Sequence, residues 1–133
     1  MRTFEKTITV VKEDLDDLDH VNNVRFVQWI QDISKEHWQK LASPEIQKKV
    51  VWVVMNHNIT YSNSAKLNDP IRIRTQVAKS KGATSVRTVE MYNDKTNRLL
   101  LRSNTQWCLL DAKTHKPIRI SDEIKDLFYN SDG

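Results

Sequence analysis

The chain has 133 residues, 38% hydrophobic and 29% charged, with a formal net charge of +4. That balance fits one globular domain spanning 1–133, excludes a disordered chain, and leaves no apolar run near the roughly 20 residues of a membrane span. A single cysteine, Cys108, excludes an internal disulfide, and the few Cys and His lack the spacing of a structural zinc site.

From the N-terminus, Thr3 to Val11 alternates, with Phe4, Ile8 and Val10 on one side, and reads as a strand. The opening residues lack a signal peptide's apolar core. With the lone cysteine, this sets the expectation of a cytoplasmic protein.

An acidic stretch follows, with five carboxylates from Glu13 to Asp19. It leads into His20-Val21-Asn22-Asn23 and then a helical pattern. Val24, Val27, Ile30, Ile33 and Leu41 recur at helix spacing, flanked by Phe26, Trp29 and Trp38. Asn22 or Asn23 is the expected N-cap, and Ser43-Pro44 the expected end. A helix N-terminus carries unpaired N–H groups and partial positive charge, which suit a developing oxyanion. Carboxylates and a histidine beside it make a candidate hydrolytic centre.

The remaining elements are mostly strands. Val50 to Tyr61 is long and β-branched, and Ile71, Ile73, Thr75 and Val77 alternate with Arg72, Arg74 and Gln76. Lys81-Gly82 turns into Ser85 to Tyr92, Asn93-Asp94 turns again, and Leu99 to Leu110 is the last strand. Ser121 caps a closing helix to Tyr129. The expected architecture is α+β: an antiparallel sheet of about five strands wrapped around one long helix. Exposed strand edges imply a second subunit.

Nine Lys or Arg lie between Lys66 and Arg102. They are too dispersed for a nucleic-acid tail, and no aromatic-interleaved RNA motif accompanies them. They read either as a solvated sheet face or as a grip for an acidic carrier or nucleotide phosphates, with Arg72, Arg74, Lys79, Lys81 and Arg87 as candidates. His57 alternates with Met55 and Ile59 and reads as a satisfied strand histidine. His37 and His115 read as surface residues, and Cys108 as a small buried hydrophobe.

The order of elements and the acidic segment resemble the hotdog-fold thioesterases, in the branch of 4-hydroxybenzoyl-CoA and acyl-ACP thioesterases. That branch has an Asp, three residues, then His-Val-Asn-Asn; here these are Asp16 and His20 to Asn23. Asp14-Leu15-Asp16 and Val24 sit at the plant acyl-ACP spacing, and Trp29 matches as well. Tyr61, Ala65 and Asp69 resemble the family's Tyr, small residue and Asp ahead of the third strand. The chain departs at Leu18, where the plant enzymes have Asn, and near Ser64, where they have a catalytic Glu. It also has Asp19 where many single-domain relatives have Gly.

The resemblance implies hydrolysis of an acyl-CoA or acyl carrier protein (acyl-ACP) thioester to a free acid and a thiol. No cofactor or metal is implied, no nucleic-acid or membrane partner, and a homodimer or homotetramer is expected. Asp16 would serve as general base or nucleophile, His20 would orient the carbonyl or a water, and a backbone N–H near Asn23 would hold the oxyanion. Asn22, Val24, Phe26, Tyr61 and Ser64 would contact substrate. The thiolate is a good leaving group, with a thiol pKa of about 8.5, so one carboxylate suffices. Two other readings share the fold: an enoyl-thioester hydratase or dehydratase, and a non-catalytic acyl-CoA-binding module. Leu18-Asp19 stands where hydratases typically have Asn-Pro.

Overall fold

The computed structural model describes residues 2–129. Strand β1 (Thr3–Thr9) leads through a single 3-10 turn at Lys12–Asp14 into helix α1 (Asn23–Leu41). A short helix α2 (Pro44–Lys49) precedes strands β2 (Val50–Tyr61), β3 (Pro70–Lys81), β4 (Thr84–Asn93) and β5 (Arg98–Asp111). Helix α3 (Asp122–Tyr129) closes the described chain. The strands form one antiparallel sheet in the order β1-β3-β4-β5-β2, with α1 packed against it, as the hotdog arrangement requires.

Period-two patterning sets the sheet's faces. In β3, Ile71, Ile73, Thr75 and Val77 are buried, and they face the same side as Val89, Met91, Leu101 and Leu109 from the neighbouring strands. Ile30 and Ile33 of α1 are fully buried, each contributing roughly 1.5–3 kcal/mol. The turn between β3 and β4 uses Gly82 at φ +60°, the left-handed region that glycine enters without Cβ strain.

Two local readings need correction. Ser43-Pro44 ends α1 but also begins α2: the Ser43 hydroxyl accepts the Ile46 N–H at 3.2 Å, and Pro44 supplies helical φ at a position with no N–H to satisfy. His57 does not share a face with Met55. The β2–β5 register shifts between Val54 and Asn56, so Met55 is exposed while His57 and Ile59 turn inward.

The core falls into two apolar clusters. One gathers Phe26, Trp29, Ile30, Ile33, Ile71, Ile73, Met91 and Leu101 around the first half of α1. The other gathers Val50, Val77, Leu109, Ile120, Ile124 and Phe128 around its C-terminal end. Buried polar groups lie on the same inner face: Ser34 and His37 on α1, Thr75 on β3, Arg87 on β4, and Ser103 and Thr105 on β5.

His37 is therefore no surface residue. Its ring stacks on Phe4, and its Nδ1 accepts a hydrogen bond from Arg87 Nη1 at 2.8 Å. Burial, then the charges of Arg87 and Arg2, lower its pKa from 6.5 to about 4. The folded state thus holds His37 neutral where the unfolded chain already binds a proton. Stability is present above pH 6.5 and is lost as pH falls toward about 4. Thermal melts of wild type and His37→Gln across this window should show a shallower loss in the variant. Parallel profiles would remove His37 from the acid response.

Candidate active site

The loop from Asp14 to Asn22 closes on itself. Asp16 N–H donates to His20 O at 2.8 Å, Asn22 N–H donates to Asp14 O at 2.9 Å, and Leu15 pairs with Val21 across an antiparallel bridge. The Asp16 carboxylate adds two bonds, its Oδ1 accepting Leu18 N–H at 2.9 Å and His20 N–H at 3.2 Å. This is an Asx turn that fixes the side chain's direction while leaving Oδ2 without a partner among the described residues.

Asp19 lies at the loop's tip with φ +61°. Asp is one of the few side chains that enter the left-handed region routinely. Asp17, Leu18 and Asp19 face solvent.

Asn22 is the N-cap of α1, its side chain accepting Val24 N–H at 2.9 Å. Asn23 is the first helical residue, and its own N–H has no partner among the described residues. The helix thus starts with one capped donor and one open donor, and an open donor at a helix start can receive an oxyanion. The His20 side chain likewise makes no hydrogen bond among the described residues and is half-buried.

The segment after β2 reaches the same place. Val21 N–H donates to Ala65 O at 2.8 Å, and the rings of Phe26 and Tyr61 lie 6.1 Å apart. Tyr61 is 41% exposed, and desolvation raises its pKa. Ser64 is exposed beside the fully buried Ala65. Asp69 binds its own turn, accepting Lys66 N–H at 2.9 Å.

Asp16, His20, Asn22, Asn23, Tyr61 and Ser64 therefore belong to one region at the start of α1. Val24 is 75% exposed on the outer side of the helix. Phe26 departs from its expected role: at 3% exposure it is a core residue packed on Trp29 and offers a substrate almost no surface.

Asp14 is the residue whose importance the pattern hid among five acids. It is buried, accepts Val11 N–H at 2.9 Å, and its Oδ1 lies 2.9 Å from Arg25 Nε. A groove of about 290 Å³ lined by Asp14, Asn22, Val24 and Arg25 flanks the helix start. The basic candidates on the sheet divide. Arg72 pairs with Asp94, Arg87 is buried, and Arg74, Lys79 and Lys81 remain exposed. Cys108 is buried, as expected. Among the described residues no cluster of His, Cys, Asp or Glu is arranged to hold a metal.

The acyl-ACP thioesterase N-terminal domain model matches residues 1–128. The chain belongs to this family. A chloroplastic acyl-[acyl-carrier-protein] hydrolase of Cuphea viscosissima is 29% identical over 85 residues, which is 62% of this chain and 20% of that protein. A palmitoyl-acyl carrier protein thioesterase of Cuphea hookeriana is 28% identical over 86 residues, again 20% of its length. The matched stretch thus spans about a fifth of these longer plant proteins.

Among solved structures, a 1,4-dihydroxy-2-naphthoyl-CoA thioesterase from Synechocystis superposes with a TM-score of 0.85 at 14% identity, over 99% of both chains. A 12:0-ACP thioesterase from Umbellularia californica superposes at 0.82 and 15% identity, over 97% of this chain and 51% of that one. These similarities establish the hotdog fold.

Two substitutions test the loop. Asn22→Ala removes the helix cap and should cost about 1 kcal/mol in chemical denaturation. Asp19→Gly should be tolerated, whereas Asp19→Val places a β-branched residue at positive φ and should cost at least about 1 kcal/mol. Equal stability of Asp19→Gly and Asp19→Val would contradict the loop geometry.

Proposed function

We propose that the protein hydrolyses acyl thioesters of CoA or acyl carrier protein. The observation that carries this reading is the pairing of an oriented carboxylate with an open helix N-terminus. Asp16 is held by Oδ1 with Oδ2 free, and Asn23 N–H stands unpartnered at the first turn of α1. Family membership supports the same chemistry.

In this mechanism the thioester carbonyl oxygen sits on the Asn23 N–H, where the helix dipole and the donor stabilise developing negative charge. The Asp16 carboxylate either takes a proton from the attacking water or attacks the carbonyl carbon itself. The tetrahedral intermediate collapses and expels the thiolate; if Asp16 was the nucleophile, water then cleaves the resulting anhydride. The His20 side chain, free of internal bonds, orients the carbonyl or the water. Tyr61 and Ser64 border the acyl group.

Thiol release should be followed over acyl-CoAs from acetyl to palmitoyl, aromatic acyl-CoAs and acyl-ACP. Asp16→Asn should lower kcat by about 10²–10⁴-fold with the fold retained. His20→Ala should lose about 10²-fold. A folded Asp16→Asn protein with wild-type kcat would overturn the mechanism. Bound acyl-CoA without turnover of any thioester would favour a binding module instead.

We also infer self-association through β2. It is an edge strand of the sheet, with Val51, Val53 and Met55 exposed at 39%, 40% and 57%. Light scattering should give a dimer or tetramer for wild type and a smaller species for Val53→Lys combined with Met55→Lys. A monomeric wild type would contradict this inference.

A further inference from the structure

A second cavity lies away from the Asp16 loop. It lies beside the second half of α1, and Ser34 on its wall is 11 residues beyond Asn23, about 16 Å along a helix rising roughly 1.5 Å per residue. Its volume is about 370 Å³, within the range of small-molecule sites. Trp38, Trp52, Trp107 and Phe128 supply an aromatic wall, in which the rings of Trp38, Trp52 and Phe128 pack on one another: Trp38 meets Trp52 edge to face at 5.7 Å.

The polar lining is unusual in sign. Among the described residues no Asp or Glu lines the cavity, while Lys35 and Arg87 do. Arg87 is buried to 4% exposure. Both of its hydrogen bonds leave from Nη1, to His37 Nδ1 at 2.8 Å and to Thr75 Oγ1 at 3.2 Å. Both acceptors are neutral, because His37 is held uncharged.

Among the described residues no carboxylate pairs with Arg87; its guanidinium lies over the Phe128 ring, 5.7 Å from the centroid, and its Nε and Nη2 make no hydrogen bond. Desolvation pulls its pKa down to about 10, still protonated at neutral pH. A second cavity-lining donor is also unsatisfied: the Trp107 indole N–H is buried with no acceptor. A buried guanidinium with spare donors and no counter-charge is costly, and a charged acceptor that filled the cavity would relieve that cost.

We propose that this cavity binds a small organic carboxylate with an aromatic or compact apolar body, its carboxylate on Arg87 and its body against Trp38, Trp52 and Phe128. The guanidinium's planar fork suits a carboxylate, and the fixed aromatic wall suits a flat ring. The site is separate from the Asp16 loop, so it operates whether or not the thioesterase reading holds.

The test is a titration of wild type with phenylacetate and 2-naphthoate beside their neutral amides, read by tryptophan fluorescence and calorimetry. The acids should bind saturably and at least about tenfold tighter than the amides. Arg87→Met should abolish that preference, and Trp107→Phe should weaken acid binding while keeping the ring. Asp16→Asn should bind the acids as wild type does. Equal binding of acids and amides, or no saturable binding of either, would overturn the proposal. So would a preference that survives Arg87→Met or disappears in Asp16→Asn. Should Arg87→Met fail to fold, the acid–amide comparison on wild type still decides.

Discussion

The candidate site depends on one buried carboxylate. Asp14 holds the chain at three points: Oδ2 on Val11 N–H, Oδ1 on Arg25 Nε, and its backbone carbonyl on Asn22 N–H. These contacts join the segment just after β1, the loop and the first turn of α1. They add to the loop's own closure by the Asp16–His20 bonds and the Leu15–Val21 bridge, and a misplacement of about 1 Å can cost a catalyst about a hundredfold. Arg25 is only partly buried, so this pair gives position more than energy. The charge that reacts and the charge that holds are two residues apart, and burial tells them apart: Asp14 is buried, while Asp16 is half-exposed with one oxygen free.

Helix α1 serves two environments. Its N-terminal end meets the acidic loop and the Ala65 segment, and donors there are left open. Toward its other end, His37 and Ser34 face a polar layer set within an otherwise apolar interior. Arg87 belongs to that layer and donates its hydrogen bonds to neutral groups. A core chosen for stability alone would gain by replacing such a cation with a packed hydrophobe. A ligand's negative charge would supply the compensation that the described residues lack.

Much of this was readable in the sequence because period-two and helical patterns are strong in this chain. The five strands, α1 and α3 follow from Ile71 to Val77, from Ile30 and Ile33, and from the Ser121 cap. The Asp16 and His20 to Asn23 motif pointed to the candidate site, since loop closure and helix capping are local. What failed was non-local. His37 and Arg87 look like surface residues in one dimension, yet they meet across 50 positions inside the fold. The β2 bulge inverted the expected partnership of Met55 and His57, because one inserted residue changes every face after it. Asp14 was indistinguishable from its acidic neighbours until burial separated them. Phe26 matched the motif but fills the core.

The account's central claim is that the first turn of α1 and the Asp16 carboxylate act on one carbonyl. A crystal structure with a non-hydrolysable ketone analogue of an acyl-CoA, its sulfur replaced by methylene, tests this most directly. The account predicts the ketone oxygen about 3 Å from Asn23 N, with the carbonyl carbon facing Asp16 Oδ2. A carbonyl bound away from the helix start, with Asn23 N–H facing only solvent, would contradict it.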